Sequence, residues 1–381
     1  MCTLVYVIVL EIFRLFFLFD HTNHIISKII KVLVNCKTSN HIIFIKIKIF
    51  TLLSLKLMSC IILPKSDYSQ ELATKYNFKE WMIARYLTIV PNTEKFLDYI
   101  NNKVVNQYIR INTLKIDIDT LKQKLLEKDF KLEKTLLAEV FLIKEAKYPI
   151  GATMEYLSGY YYIQDLSSCL AVESLDIEED DLVLDMASSP GGKTSFMAQK
   201  MNNKGMILAL ESESKRLRKM MFNLSRCGVV NTVLWNMKGE KIGNYDFKFD
   251  KVLLDAPCSC DGIMQKDPLR KTTYSKESIK FCSIRQSQLI ESALNVVKPG
   301  GLLVYSTCSL APEENEFIIN SIIDKFDITI ESIDYGGVDS LIKFGGKVMD
   351  KSIKFTKRFY PHIHNTAGFF VAKIRVNNIE K

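Results

Sequence analysis

The sequence predicts an α/β protein built on a doubly wound parallel sheet, preceded by a smaller α+β module. Three observations carry that expectation. Beyond Gln164, short apolar strand signals alternate with helical patterns, the order that gives parallel strands joined by crossover helices. The first such strand, Leu182–Leu184, runs through Asp185-Met186-Ala187-Ser188-Ser189-Pro190-Gly191-Gly192-Lys193-Thr194 into a helix. Finally, Asp185, Glu211, Asp255 and Cys308 all fall at expected strand ends, and ligands of such sheets bind outside the carboxyl ends of the strands.

In chain order, residues 1–57 differ in composition from the rest. They lack Gly and Pro and contain seven Lys/Arg against two Asp/Glu, so they contribute +5 of the net +8. Met1–Phe19 has the length of a membrane span but is broken by Glu11 and Arg14, which are costly inside a bilayer. A signal peptide fits poorly, without a basic start or a small-residue cleavage site. The segment therefore reads as an apolar, basic leader upstream of a start at Met58, and no membrane partner is expected unless that leader is native. Residues 58–103 are helical in pattern, with Pro91 dividing two short helices. Residues 104–163 hold a strand ending at Leu114, a helix over Ile118–Glu127 and strand signals over Leu136–Ile143. The tyrosines of Tyr156–Tyr162 suit a buried interface better than a base-stacking platform.

Residues 164–381 carry the parallel sheet. Its strands are expected at Leu182–Leu184, Gly205–Leu210, Thr232–Trp235, Lys251–Leu254 and Leu302–Tyr305, with a closing pair between Lys354 and Val376. Helices are expected after Gly192 and over Lys215–Cys227, Lys280–Val297 and Glu313–Lys325. The turn before Thr194 would aim backbone N–H groups at a ligand, its glycines permitting close approach and Pro190 stiffening it. Its spacing is neither G-x-G-x-x-G nor the P-loop pattern, which disfavours a dinucleotide or a nucleoside triphosphate. Glu211 is placed to accept both hydroxyls of a ribose. The nine cysteines include no C-x-x-C, so neither a metal site nor a disulfide framework is expected. Cys258 and Cys308 nevertheless sit in loops facing one cleft, with Asp255 and Lys193 available.

These residues resemble the Sun family of RNA cytosine-C5 methyltransferases. The similarity runs from about Tyr108 to Val376 through Arg110-Ile111-Asn112-Thr113, Pro149-Ile150-Gly151-Ala152 and Gln164-Asp165-Leu166-Ser167-Ser168. It continues in Pro190-Gly191-Gly192-Lys193-Thr194, Asp255-Ala256-Pro257-Cys258-Ser259 and Thr307-Cys308-Ser309. The tail, Arg358-Phe359-Tyr360-Pro361-His362 with Gly368-Phe369-Phe370-Val371-Ala372-Lys373, resembles the nucleolar protein 2 branch, which acts on large-subunit ribosomal RNA. The resemblance implies a Rossmann-like S-adenosylmethionine (SAM) methyltransferase domain behind an RRM-like RNA-binding module. It implies Cys308 as nucleophile, Cys258 as the thiol that assists release, and Asp255 and Lys193 as catalytic partners. SAM would be held by Ala187, Ser188, Ser189, Pro190, Gly191, Gly192, Lys193, Glu211, Arg216, Lys238 and Asp255. RNA within pre-ribosomal particles, a nucleolar location and a monomeric state follow from the same resemblance.

The chemistry needs a thiolate, because C5 of cytosine becomes nucleophilic only after addition at C6; Lys193 is a candidate to lower that thiol's pKa. Two departures stand out. Cys260 takes a position where the family commonly has glycine, and Lys238 follows the third strand where an acidic residue is usual. Candidate phosphate contacts are Lys215, Arg216, Arg218 and Lys219; Lys266, Arg270 and Lys271; and Lys354, Lys357 and Arg358. The alternatives are a transfer-RNA methyltransferase and a ribosome-assembly factor that mainly binds RNA.

Overall fold

A computed structural model describes residues 60–102 and 104–377; the expected leader, 1–57, lies outside them. The chain from Met58 onward forms one unit that opens with three helices. Helix α1 (Asp67–Tyr76) starts at a capping box in which Ser66 and Ser69 each accept from the other's backbone N–H, and it stops at Asn77 in the left-handed region (φ 56°). Because Asn77 ends the helix there, α2 (Glu80–Ile89) and α3 (Thr93–Asn102) follow separately, giving three helices where the proline alone predicts two. Leu72, Tyr76, Met82, Ile83, Tyr86, Phe96 and Leu97 bury themselves against Tyr274, Leu310 and Tyr360 from much later in the chain.

The next segment is an antiparallel sheet. Strand β1 (Gln107–Ile111), helix α4 (Ile118–Leu126), β2 (Lys131–Lys134), β3 (Val140–Glu145) and β4 (Tyr161–Ile163) follow in sequence, and the strands pair in the order β2-β3-β1-β4. The first strand stops at Ile111, short of Leu114. Asn112 bends the chain there, its amide donating to the Gly159 and Cys227 carbonyls at 2.8 Å while its oxygen accepts from Leu114 N. Of the strand signal over 136–143 only the second half is a strand, β3, and the expected pattern misses β2 before it; Thr135 turns the chain between the two by hydrogen bonds to the Leu137 and Val140 carbonyls. Tyr161 is fully buried in this module's core and Tyr162 packs against Gly192, which is the interface role read for that segment.

Helix α5 (Leu166–Glu173) leads into the larger sheet. Its parallel strands are β5 (Leu182–Asp185), β6 (Met206–Leu210), β7 (Thr232–Trp235), β8 (Phe249–Asp255) and β9 (Val297–Thr307). Between them run α6 (Gly192–Lys200), α7 (Ser214–Cys227) and α8 (Lys276–Leu294), and α9 (Glu316–Ile323) follows β9. Strands β10 (Ile328–Glu331), β11 (Val338–Asp339), β12 (Lys357–Phe359) and β13 (Phe369–Val376) are antiparallel additions. The strand order is β11-β12-β13-β9-β8-β5-β6-β7, with β10 beside β13. Helices cover both faces of the central strands, so Val183, Leu184, Leu253 and Leu254 are fully buried; continuous apolar strands are what such a sheet requires. The order reverses at β5, which pairs with β6 on one side and β8 on the other. The crevice at their carboxyl ends is where ligands of such sheets bind.

Arg110 joins the small module to this sheet. It is fully buried, donates to Gln164 at 3.0 Å and Ser195 at 2.7 Å, also reaches Gln199, and lies 4.7 Å over the Phe196 ring. Burial draws its pKa below the usual guanidinium value. Removing it strands buried acceptors in a dry interface, which costs about 2–3 kcal/mol. Arg110→Ala should therefore lower the urea midpoint of unfolding. An unchanged midpoint would show that the module does not depend on this contact.

Candidate active site

The β5–α6 turn forms one wall of the crevice. Ser188 is tied to β6, its backbone N–H and hydroxyl both donating to the Leu210 carbonyl at 3.0 and 2.8 Å. Gly191 precedes α6 at φ +97° and carries no capping side chain; a Cβ there would meet Met220 at 3.3 Å. The first amides of α6 are thus left without a side-chain cap. Asp185, at the end of β5, accepts from the Thr194 hydroxyl at 2.7 Å, and burial pushes its carboxyl up to about 6.

Lys193 projects from the first turn of α6 and donates to Asp255 Oδ2 and Ser168 Oγ, both at 2.7 Å. Burial opposes its charge, but the Asp255 carboxylate outweighs that cost and holds the ammonium above its ordinary value. Asp255 Oδ1 accepts from Ser306 at 2.9 Å. The lysine that the sequence offers as a thiol activator is therefore paired with the aspartate. Glu211, at the end of β6, is 4% exposed; it accepts from Glu213 N at 2.8 Å and pairs with Arg216 at 3.3 Å. Arg216 also donates to the Ser189 carbonyl at 3.2 Å, closing the turn against the glutamate.

The thiols form the opposite wall. Cys258 Sγ lies 3.3 Å from Cys308 Sγ and 3.7 Å from Cys260 Sγ. Two loops from neighbouring strands meet here, held by the buried carboxyl of Glu314. It accepts from Ser259 N at 2.9 Å, from the Ser259 hydroxyl, from Ser309 Oγ at 2.9 Å and from Gln286 at 3.0 Å. Burial pushes the Glu314 carboxyl up to about 8. Asp261 adds a second clamp, accepting from Leu310 N at 2.7 Å and Ser309 Oγ at 3.0 Å. Gly262 must be glycine, since a Cβ there would lie 2.4 Å from the Gly368 carbonyl oxygen.

A cavity of about 390 Å³ connects these walls. Ala187, Ser189, Lys193, Glu211, Arg216, Asp255, Cys258 and Cys308 all line it, and Ser188, Pro190 and Gly192 line a smaller adjoining space. Gly191 lines neither space and sits against Met220 and Leu224 of α7. Lys238 is exposed and lines neither space, although its neighbour Gly239 lines the larger. Three more residues line the larger cavity: Asp165, to which the sequence gives no role, Lys266, which it offers only as a phosphate contact, and Cys260, which it marks only as a departure. Asp165 caps α5 through Ser167, accepts from Ala367 N at 3.2 Å and pairs with Lys266 at 2.5 Å. Its signal lies in the Gln164-Asp165-Leu166-Ser167-Ser168 run, to which the sequence alone assigns no role. The basic cluster at 354–358 needs correction: Arg358 is fully buried, pairing with Glu316 at 2.6 Å and donating to the Leu310 carbonyl. It holds the fold and faces no RNA.

The fold and site define a SAM-type methyltransferase domain carrying a paired-thiol cleft. The chain belongs to the family described as 16S rRNA methyltransferase RsmB/F, whose model matches residues 172–375. A mouse 28S rRNA (cytosine-C(5))-methyltransferase is 36% identical over 320 residues, covering 81% of this chain but 40% of that protein. The chain thus spans less than half the length of that curated relative. Among solved structures, a methyltransferase homolog protein from Pyrococcus horikoshii is 37% identical at a TM-score of 0.75, covering 82% of this chain and 99% of that one. NSun6 from Pyrococcus horikoshii, solved with SFG, is 26% identical at a TM-score of 0.66, covering 81% and 98% respectively.

The three thiols compete for one negative charge. Hydrogen bonds from Cys258 and Cys308 hold Cys260 well below the ordinary thiol value. Cys258 is held above it by its bonds to Cys260 and Cys308 and by burial. In Cys308, a lowering bond from Cys258 is outweighed by the bond to Cys260 and by burial, which hold it above. A thiol with a lowered pKa is thiolate at pH values where ordinary cysteine is protonated. Brief iodoacetamide treatment at pH 6, read by peptide mass spectrometry, should modify Cys260 before Cys258 and Cys308. Faster modification of Cys308 would place the charge elsewhere.

Proposed function

We propose that the protein transfers a methyl group from SAM to C5 of cytosine in RNA, with large-subunit ribosomal RNA as the substrate. The observation that carries this reading is the 3.3 Å contact of Cys258 and Cys308 in a cavity that also takes in Glu211. Family membership and the name of the mouse relative support it. The residues present fit the cofactor: α6 begins without a side-chain cap, Gly191 lets the chain enter it from the left-handed region, and Glu211 offers a buried carboxylate at the end of β6. Ala187, Ser189, Lys193, Glu211 and Arg216 would hold it. SAM supplies an electrophilic methyl group on a sulfonium.

In this reading Cys308, held as a thiol by burial and by its contact with Cys260, passes its proton to the neighbouring Cys260 sulfur and adds to C6, forming a C–S bond and making C5 nucleophilic. Asp255 hydrogen-bonds the base edge at N3 and N4, held in place by Lys193 and Ser306. Once C5 is methylated, a base removes its proton, the C–S bond breaks and Cys308 leaves; Cys258, in contact with it, assists release. Exposed Lys215, Arg218 and Lys219 on α7 suit phosphate contacts, and the antiparallel module serves as an RRM-like RNA-binding surface. A nucleolar place among pre-ribosomal particles follows from that substrate.

Two measurements test the proposal. Glu211→Ala removes a charge-assisted acceptor worth about 1.5–3 kcal/mol, so calorimetry should show SAM binding weakened by roughly one to two orders of magnitude. Bisulfite sequencing of total RNA with and without the protein should reveal a protected cytosine in large-subunit RNA. Unchanged SAM affinity would displace the cofactor, and a protected site only in transfer RNA would replace the substrate.

A further inference from the structure

We propose that Cys258, Cys260 and Cys308 together form a binding site for a thiophilic divalent cation of the zinc and cadmium class. The three sulfurs all lie within 4.8 Å of one another, with Cys258 at 3.3 Å from Cys308 and 3.7 Å from Cys260. A cation bound tetrahedrally to three thiolates at about 2.3 Å each, with a fourth ligand open, spaces the sulfurs by roughly 3.8 Å. The two measured edges, 3.7 and 3.3 Å, would then open by about 0.1 and 0.5 Å. All three residues line the 390 Å³ cavity, which gives the ion a path in and leaves space for a water as fourth ligand. Three protein ligands with one open position is the pattern of accessible zinc sites.

The third sulfur is what turns a pair into a site. Cys260 sits at φ +61°, a left-handed conformation that glycine adopts freely and a side chain seldom does. In that conformation its sulfur turns back to 3.3 Å from the Cys258 carbonyl oxygen and beside the other two thiols. Metal binding displaces the thiol protons and ties up all three sulfurs. A bound cation and the methylation chemistry then exclude one another; that consequence rests on the proposed function, whereas the binding itself does not. The expectation of no metal came from the absence of a C-x-x-C, which cannot register a ligand set split between two loops.

The test uses the full chain, reduced with a phosphine, freed of metal and titrated with Cd²⁺. The wild type should develop the ultraviolet thiolate-to-cadmium absorption band, saturating at one ion per chain. Alkylation mapping with and without the ion should show Cys258, Cys260 and Cys308 protected together. Cys260→Gly restores the residue common in the family, and Cys260→Ser keeps the side-chain size. Each should weaken binding by at least about 10–100-fold, the loss that changes around a metal site typically produce. No band in the wild type, equal affinity in both variants, or protection centred on other cysteines would overturn the proposal. The band needs neither RNA nor methyl donor, so failure of the methylation reading leaves this test standing.

Discussion

The arrangement of the site depends on one buried carboxyl, that of Glu314. Cys258 and Cys308 come from different strand ends, and nothing in either loop alone brings them together. Each is followed by a serine, and both serines reach Glu314. The preceding residue, Glu313, is gripped from the other side by Arg85 at 2.6 and 3.0 Å and by Ile61 N at 2.7 Å. The N-terminal helices thus press on the same short turn that organises the thiols. Leaving such a buried acceptor unsatisfied costs about 1–3 kcal/mol, so the loops are locked as a set.

A second tie works at right angles to the first. Lys193 and Asp255 join the turn after β5 to the end of β8, Ser306 extends the chain of contacts to β9, and Ser168 anchors it to α5. A pair this sheltered is a weak source of stability, because desolvation offsets the attraction. Its value lies in placement: the glycine turn, the aspartate and the thiol loops hold fixed positions around one cavity.

How much of this could be read from the sequence depended on whether the cause was local. Strand Thr232–Trp235 matches its expected bounds, and β5, β6 and β8 fall close to theirs, because burial on both faces leaves a continuous apolar run; β9 instead begins at Val297, five residues before the expected Leu302, taking in Pro299-Gly300-Gly301. Helix α8 begins at Lys276, four residues before the apolar pattern indicates, because Ser275 and Ser278 form a capping box ahead of it. Features built by tertiary contact were not legible. Arg358 has the composition of a phosphate ligand and is a core ion pair; Glu314 has the composition of a surface residue and is the hub of the site. Cys260 was seen only as a departure, since its approach to two other thiols follows from one left-handed residue. Lys238 caps a short 3-10 helix and stays exposed, whereas the next residue, Gly239, is the one that lines the cavity.

The central claim is that two touching thiols divide the labour of addition and release, and the most direct measurement is a denaturing gel of protein incubated with RNA and SAM. Cys258→Ala should accumulate a protein–RNA adduct that survives denaturation, Cys308→Ala should form none, and the double substitution should abolish it. An adduct trapped by Cys308→Ala would exchange the roles of the two thiols. No adduct and no methylation from any form, with RNA binding intact, would contradict the account and leave a protein that binds RNA without modifying it.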